Sequence, residues 1–256
     1  MLFTDIVIKM IIQGLYDTLY MTIISTLMAY VLGIPLGIAL AITDNKGIKP
    51  NVLIYKILDL ISNIIRSVPF LILLILVMPI TKLIVGKTYG SSATIVPLVI
   101  AAAPFIARMV ESSLQEVDKG VIEAAQSMGA GTFTIIWKVL IVEARTSLIV
   151  GMTIALGTIL GYSAMAGIVG GGGLGDIAIR YGFYRSETDI MIATVVILVV
   201  LVQSLQGVGM MASRRLDKRK LNWFFGLVYK IKLVKINMKS RIKRKRRILW
   251  KKEHWH

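Results

Sequence analysis

The sequence predicts an all-α membrane protein with five transmembrane helices. Of its 256 residues, 56% are hydrophobic, and the mean hydropathy is +0.75, whereas soluble domains are about 45–50% apolar. Several long stretches contain no Asp, Glu, Lys or Arg. A helix of about 20 apolar residues spans hydrocarbon because it bonds all of its backbone polar groups internally. These two observations predict several membrane-crossing helices and no large water-soluble domain.

Five spans follow from the stretches that lack charged residues. Four stretches are long enough by themselves, namely 18–43, 88–107, 146–175 and 190–213. A fifth, 67–81, must extend backwards through Arg66 to cross a bilayer, so Arg66 either snorkels to the interface or faces a wet interior. With their flanks, the predicted spans are 15–43, 57–81, 88–108, 146–169 and 190–213, and residues 1–14 form an external segment.

Charge predicts the orientation of these spans. Residues 212–256 hold 17 of the 30 Lys and Arg residues and 2 of the 14 Asp and Glu residues. That tail therefore carries about +15 of the net charge of +16, and the body is close to neutral. Basic segments stay on the cytoplasmic side. Five spans then place the N-terminus outside and the C-terminus, with its basic tail 214–256, in the cytoplasm.

Composition also argues against an enzyme. The chain has no cysteine, and its two histidines, His254 and His256, lie at the very end. The only acids inside the predicted spans are Asp17 and Asp59, each near the start of its span. The glycine-rich run 170–175 lacks the lysine that holds phosphates in a nucleotide-binding loop. Its simplest interpretation is a flexible external loop, and the alternative is a surface that receives a partner.

Two pairs of glycines indicate possible close helix contacts. Gly33 and Gly37 in the first span, and Gly157 and Gly161 in the fourth, have the spacing that lets two helix backbones approach in a membrane. Glycine is frequent in membrane spans, so chance spacing is the competing explanation. Arg108 and Glu111, three residues apart, are expected to form an ion pair at the inner end of the third span, and the alternative is that they anchor the loop.

The loop 109–145 between the third and fourth spans is predicted to contain two short surface helices. Asp118 is a plausible N-cap, and Gly129 a natural stop, for the first. The second is expected over 133–143. One interpretation is a connecting loop. The other is a helix that docks into a partner, with Ala124 and Ala125 small enough to seat in a groove and Glu123 as a charged handle for a basic partner.

The stretch GVIEAAQSMGAGTFTIIWKVLI (120–141) resembles the EAA loop of ABC-importer permeases. RSVPFLILL (66–74), IVPLVIAAAPFIARMVE (95–111) and GYSAMAGIVGGGGLGDIAIRYGF (161–183) resemble the methionine-importer members of that family. The resemblance covers about residues 10–219. It implies a type I importer fold, in which the loop is a coupling helix between the permease and its ATPases.

This resemblance also implies partners and site residues. The family's permease is a homodimer that works with two cytoplasmic ATPase subunits and an extracytoplasmic methionine-binding lipoprotein. ATP and magnesium belong to the ATPases, and this chain is expected to bind no cofactor. The implied ATPase-coupling residues are Glu123, Ala124, Ala125, Ser127 and Gly129. The candidates for the pathway or gate are Gly157, Gly161, Tyr162, Ser163, Met165 and Arg66. The candidates for contact with the binding protein are Gly171, Gly172, Gly173 and Leu174.

The sequence departs from the family pattern in two places. Val142 stands where the family usually has a proline, which leaves open how the second loop helix bends into the fourth span. The tail continues for about 37 residues beyond the usual family end. It is interpreted as a lipid-binding basic arm, as a nucleic-acid-binding arm without a recognisable module, or as an unselected frameshifted or read-through end. No nucleic-acid partner is expected for the body.

Overall fold

The computed structural model describes residues 5–216, which are almost entirely helical and contain no β-strand. The ten α-helices within this range are α1 (Asp5–Thr43), α2 (Val52–Ser67), α3 (Phe70–Leu76), α4 (Met78–Val85), α5 (Ser91–Gln115), α6 (Lys119–Ser127), α7 (Thr132–Thr134), α8 (Ile141–Ala166), α9 (Gly173–Ile177) and α10 (Thr188–Leu216). A π-helical segment, Ile135–Leu140, joins α7 to α8, and another, Ala178–Phe183, follows α9. The predicted tail comprises residues 214–256, and its residues after 216 lie outside the described part of the chain.

Within residues 5–216, four helices are long and apolar enough to cross a membrane. They are α1, α5, α10 and the continuous helical stretch Thr132–Val169. The bent pair α2 and α3 makes a fifth span if the two are counted together. The all-helical prediction is thus confirmed. The first span differs in its start, since α1 begins at Asp5 and includes most of the expected external segment.

The second predicted span, 57–81, is not one straight helix. The axes of α2 and α3 meet at 103°, with the break at Val68 and Pro69. Val68 is extended, with φ −79° and ψ 125°, because the ring of a following proline disfavours helical backbone at the residue before it. Pro69 also lacks the N–H that would continue the hydrogen-bond ladder.

The second surface helix, predicted over 133–143, is likewise not separate from the fourth span. The helical stretch Thr132–Val169 runs through this region without a break. With Val142 in place of proline, the backbone N–H is available at this position, and the helical hydrogen bonds continue. The loop proper is therefore reduced to α6 and its short flanks.

The core is built around α5, which packs against α1, α2, α4 and α8. Its most apolar 18-residue stretch is 67% buried, against 11% for α10. Gly33 and Gly37 of α1 face α5 closely: a β-carbon at Gly33 would lie 2.9 Å from the Ala103 carbonyl oxygen. This confirms the intimate contact that the first glycine pair predicts. The exposed apolar face of α10 requires lipid or another chain to cover it.

Candidate functional site

The short helix α6 has the boundaries that its sequence predicts. The Asp118 carboxylate caps it by accepting a hydrogen bond from the Gly120 N–H at 2.7 Å. At the other end Gly129 has a φ of +77°, a conformation that glycine adopts without steric cost. The Ala130 N–H then donates to the Ala125 carbonyl at 3.0 Å. The prediction of an N-cap and a glycine stop is confirmed.

The coupling candidates on α6 differ in accessibility. Glu123, Ala124, Ser127 and Gly129 are exposed, whereas Ala125 is buried at 5% exposure. Ala125 belongs to the same hydrophobic cluster as Val117, Ile135 and Leu140, which are residues of this chain. The small size of Ala125 thus serves packing within the chain. Of the two alanines, Ala124 is the one that a partner can reach.

A cavity of about 660 Å³ lies between α6 and the turn that follows α1. Glu123, Gln126 and Lys119 line it from the side of α6, and Asp44 and Lys46 line it from the turn. Both charge signs therefore face the same space. Glu123 thus lines a concave surface of mixed polar and apolar character.

Exposed apolar side chains flank α6, and the sequence analysis missed them. Met128, at the C-cap of α6, is 80% exposed. Phe133 and Trp137 are also exposed, and their ring centroids lie 6.0 Å apart. Large exposed apolar side chains mark contact surfaces when they cluster. The spacing of four between Phe133 and Trp137 was the available sequence signal.

The pathway candidates on α8 fall into two groups. Gly161 and Met165 are exposed, and a β-carbon at Gly161 would meet nothing within 4 Å. Together with Ile154 and Ile168 they form an open stripe at helical spacing. The second glycine pair predicted a helix contact at Gly161, and the structure shows open space there. Gly157, by contrast, lies against the Gln206 side chain of α10.

Of the remaining pathway candidates, two pack against residues of this chain and one is exposed. The Tyr162 ring stacks on Phe70 of α3, with centroids 4.5 Å apart and planes 4° from parallel. Ser163 is buried, and its hydroxyl donates to the Leu160 carbonyl at 2.7 Å. Arg66 is exposed in the last turn of α2, where a cation interacts favourably with the helix dipole.

The glycine-rich run is a packed turn and not a flexible loop. Gly171, Gly173 and Leu174 are buried, and Gly172 is half-buried. The Leu174 N–H donates to Thr18 Oγ1 of α1 at 2.8 Å, and Thr94 Oγ1 of α5 donates to the Gly171 carbonyl at 3.2 Å. The turn thus ties α1 and α5 to α9. Of the four candidates for contact with the binding protein, Gly172 has the most accessible surface.

Charged and aromatic side chains follow this turn. Asp176 pairs with Arg180, and this hydrogen bond and the carboxylate charge raise the pKa of Arg180. Arg185 lies over the Tyr181 ring, 4.6 Å from its centroid. The pairings restrict where both arginine side chains lie at this end of the molecule.

The predicted ion pair between Arg108 and Glu111 is confirmed, and it belongs to a larger group. Arg108 Nη1 lies 2.7 Å from Glu111 Oε2, and Arg108 Nη2 pairs with Asp59 of α2. Asn63 and Tyr55 of α2 also contact Arg108 and Glu111, respectively. We call these five residues the α2–α5 charge cluster. Its two acids lie far apart in sequence, so the sequence analysis had treated Asp59 as isolated.

Comparison with known proteins places this arrangement in a family. Residues 33–221 match the model of the binding-protein-dependent transport system inner membrane component. The chain belongs to this family. The matched range includes α6, the segment that resembles the EAA loop by its sequence.

Individual relatives of this inner membrane component agree. The chain is 53% identical to the probable D-methionine transport system permease protein MetI of Vibrio cholerae, over 69% of this chain and 79% of that protein. It is 43% identical to the methionine import system permease protein MetP of Bacillus subtilis, over 70% of this chain and 80% of that protein.

A solved structure supports the same fold. The chain resembles a protein from the inward-facing MetNI methionine ABC transporter with a TM-score of 0.83 and 42% identity, covering 84% of this chain and all of that one. The predicted type I importer permease fold is confirmed.

Proposed function

We propose that the chain is the permease subunit of an ATP-driven methionine importer of the bacterial cytoplasmic membrane. One observation carries the proposal: a helical membrane bundle of this family presents a capped, exposed α6 whose sequence resembles the EAA loop. The names of the relatives at 53% and 43% identity, which are methionine permeases, supply the substrate. The family is a transport component and not an enzyme.

The coupling role falls to the exposed part of α6. Glu123, Ala124 and Ser127 are available to an ATPase subunit, and Met128 adds an apolar anchor. Ala125 and Gly129 act differently, by seating α6 on its own chain and by ending the helix. Helices that dock in grooves use a few such anchors. Closure of two ATPases, each with ATP and magnesium, would move α6 and switch the permease.

The open stripe on α8 is the proposed lining of the pathway. Gly161 and Met165 lie on it, and a second copy of the permease would face it across a homodimer. The methionine side chain is apolar, so a surface of glycine, methionine and isoleucine lets it pass without binding it tightly. The other candidates on α8 make contacts within the chain. Gly157 lies against Gln206, Tyr162 stacks on Phe70, and Ser163 bonds to the backbone of α8.

The orientation follows from charge. The N-terminus lies outside and the C-terminus in the cytoplasm, which places α6 on the ATPase side. The turn at Gly172 and the side chains after it then face outward, towards a methionine-binding lipoprotein. Lipid covers the apolar face of α10, and no nucleic acid takes part.

A permease for another small amino acid or a peptide is the closest alternative function, and a non-transporting membrane adaptor is the second. Uptake of labelled methionine by vesicles with the ATPase and the binding protein tests both. Unlabelled L-methionine and D-methionine are expected to compete, whereas other amino acids and dipeptides are not. Equal competition by an unrelated amino acid would contradict the substrate assignment.

The basic tail is expected to be dispensable for transport. Deletion of residues 220–256 should leave methionine uptake unchanged, because the family match ends at residue 221. Uptake by the truncated and full-length chains, compared at equal amounts in the membrane, checks this. Loss of uptake by a truncated chain that is correctly inserted would show that the tail has a function in transport.

A further inference from the structure

We infer that the α2–α5 charge cluster is a positioning element for transport, which joins the movement of α6 to the aromatic pair Phe70–Tyr162. The inference rests on the proposed function, because it assumes that α6 is moved by an ATPase. It adds a role for three residues, Asp59, Arg108 and Glu111, that neither the coupling segment nor the pathway includes.

The helix α2 is held to α5 by polar contacts and not by apolar burial. Of its 16 residues only Ser62 is fully buried. Most of its large apolar side chains from Val52 to Ile64 are 45–70% exposed, and Leu58 is half-buried. Tyr55, Asp59 and Asn63, spaced four apart, face α5 instead. Apolar contact contributes little to the association of helices in lipid, whereas hydrogen bonds between helices stabilise it. The cluster therefore determines where α2 lies.

One end of the cluster is tied directly to the coupling segment. Arg108 and Glu111 lie in the last two turns of α5, which ends at Gln115. Gln115 donates to Glu111 at 3.4 Å, and Glu111 is 4% exposed. Two residues, Glu116 and Val117, separate α5 from the N-cap of α6, and Val117 is buried. A displacement of α6 is therefore passed to Glu111 over a short and packed connection.

The other end of the cluster leads to the pathway. Beyond Asn63, α2 ends at Ser67, and the bend at Pro69 fixes the direction in which α3 begins. Phe70, the first residue of α3, is 7% exposed and stacks on Tyr162. Packed side chains and rigid helices carry coupling between distant sites. The connection from α6 to Tyr162 through this cluster contains both.

The substitution that isolates this role is Asp59→Asn. It keeps the size of the side chain but removes the charge that faces Arg108, and it leaves the pair of Arg108 with Glu111 intact. The full importer complex should assemble, and its rate of ATP hydrolysis should stay within about twofold of the wild type. Methionine moved per ATP hydrolysed should fall by about tenfold. Asp59→Glu, which keeps the charge, should recover most of that loss.

One control and one weaker cluster variant make the result specific. Lys56→Gln removes a charge from an exposed position of the same helix and should change neither quantity. Asn63→Ala removes one acceptor of Arg108 and should give a smaller loss in the same direction.

An unchanged ratio of methionine to ATP in Asp59→Asn would overturn the inference. So would a loss of uptake that only tracks a loss of assembled complex in both Asp59→Asn and Asn63→Ala, because the cluster would then be purely structural. Failure of the proposed function has a different signature, since the wild type itself would then show no ATP-driven methionine uptake.

Discussion

Replacing Glu123 with arginine is expected to abolish ATP-driven methionine uptake while leaving the permease folded. Glu123 is exposed on α6 and lines the cavity beside Lys46 and Lys119. A partner that docks here meets an acid beside two lysines, and arginine would leave Asp44 as the only acid that lines this cavity. A charge of the wrong sign at a docked surface costs several kcal/mol, so uptake should fall by well over tenfold.

Gly129→Trp is expected to have the same effect by a different route. The residue has a φ of +77°. A tryptophan there costs about 1–2 kcal/mol because its β-carbon crowds the backbone. The indole would also stand in the open space beside α6, where a partner must approach.

Matched variants separate these causes. Asp5→Arg reverses an exposed acid at the first residue of α1, outside both proposed contact surfaces, and should leave uptake unchanged. Gly131→Ala adds a side chain two residues beyond Gly129. The φ of Gly131 is an ordinary −68°, which alanine adopts without strain. It should be neutral, whereas Gly129→Ala should lower uptake. Normal uptake by both Glu123→Arg and Gly129→Trp would contradict the coupling role of α6.

The second large effect is expected at the contact between α1 and α5. Gly37→Val should sharply reduce the amount of folded protein, because a β-carbon at Gly37 would lie 2.5 Å from the carbonyl oxygen of Ala107 and 2.7 Å from the β-carbon of Val110. Backbone cannot move aside as a flexible side chain can. Overpacking of this kind costs about 1–3 kcal/mol and at times more. The thermal unfolding temperature of the protein purified in detergent measures the effect.

Gly207→Val on α10 is the control for that prediction. A β-carbon at Gly207 would meet nothing within 4 Å, so valine there adds only an exposed apolar side chain to a helix surface. Its unfolding temperature should match the wild type. Equal stability of Gly37→Val and the wild type would show that α1 and α5 do not pack as closely as described.

The sequence predicts best what depends on neighbouring residues. The cap at Asp118 and the stop at Gly129 are local features, and both are confirmed. Long uncharged stretches likewise predict the apolar helices, because crossing a membrane is a matter of length and composition. Pro69 itself is a local signal for the bend, but the span 57–81 was predicted only from the uncharged stretch 67–81.

What the sequence did not predict depends on contacts between distant residues. Ala125 was expected to fit a partner's groove. It is instead buried in a cluster with Ile135 and Leu140 of the same chain, and a sequence does not show where those side chains lie. The run from Gly170 was expected to be flexible, but Thr18 and Thr94 bind it from two other helices. The pairing of Asp59 with Arg108 joins residues 49 positions apart.

The most direct test of the central claim is methionine transport by proteoliposomes that contain this chain with its ATPase and binding protein. Labelled methionine should accumulate when ATP and magnesium are available to the ATPase side. It should not accumulate with a non-hydrolysable ATP analogue, or when the chain carries Glu123→Arg. Accumulation that is independent of ATP hydrolysis, or equal in the Glu123→Arg variant, would contradict the account of this chain as a permease driven through α6.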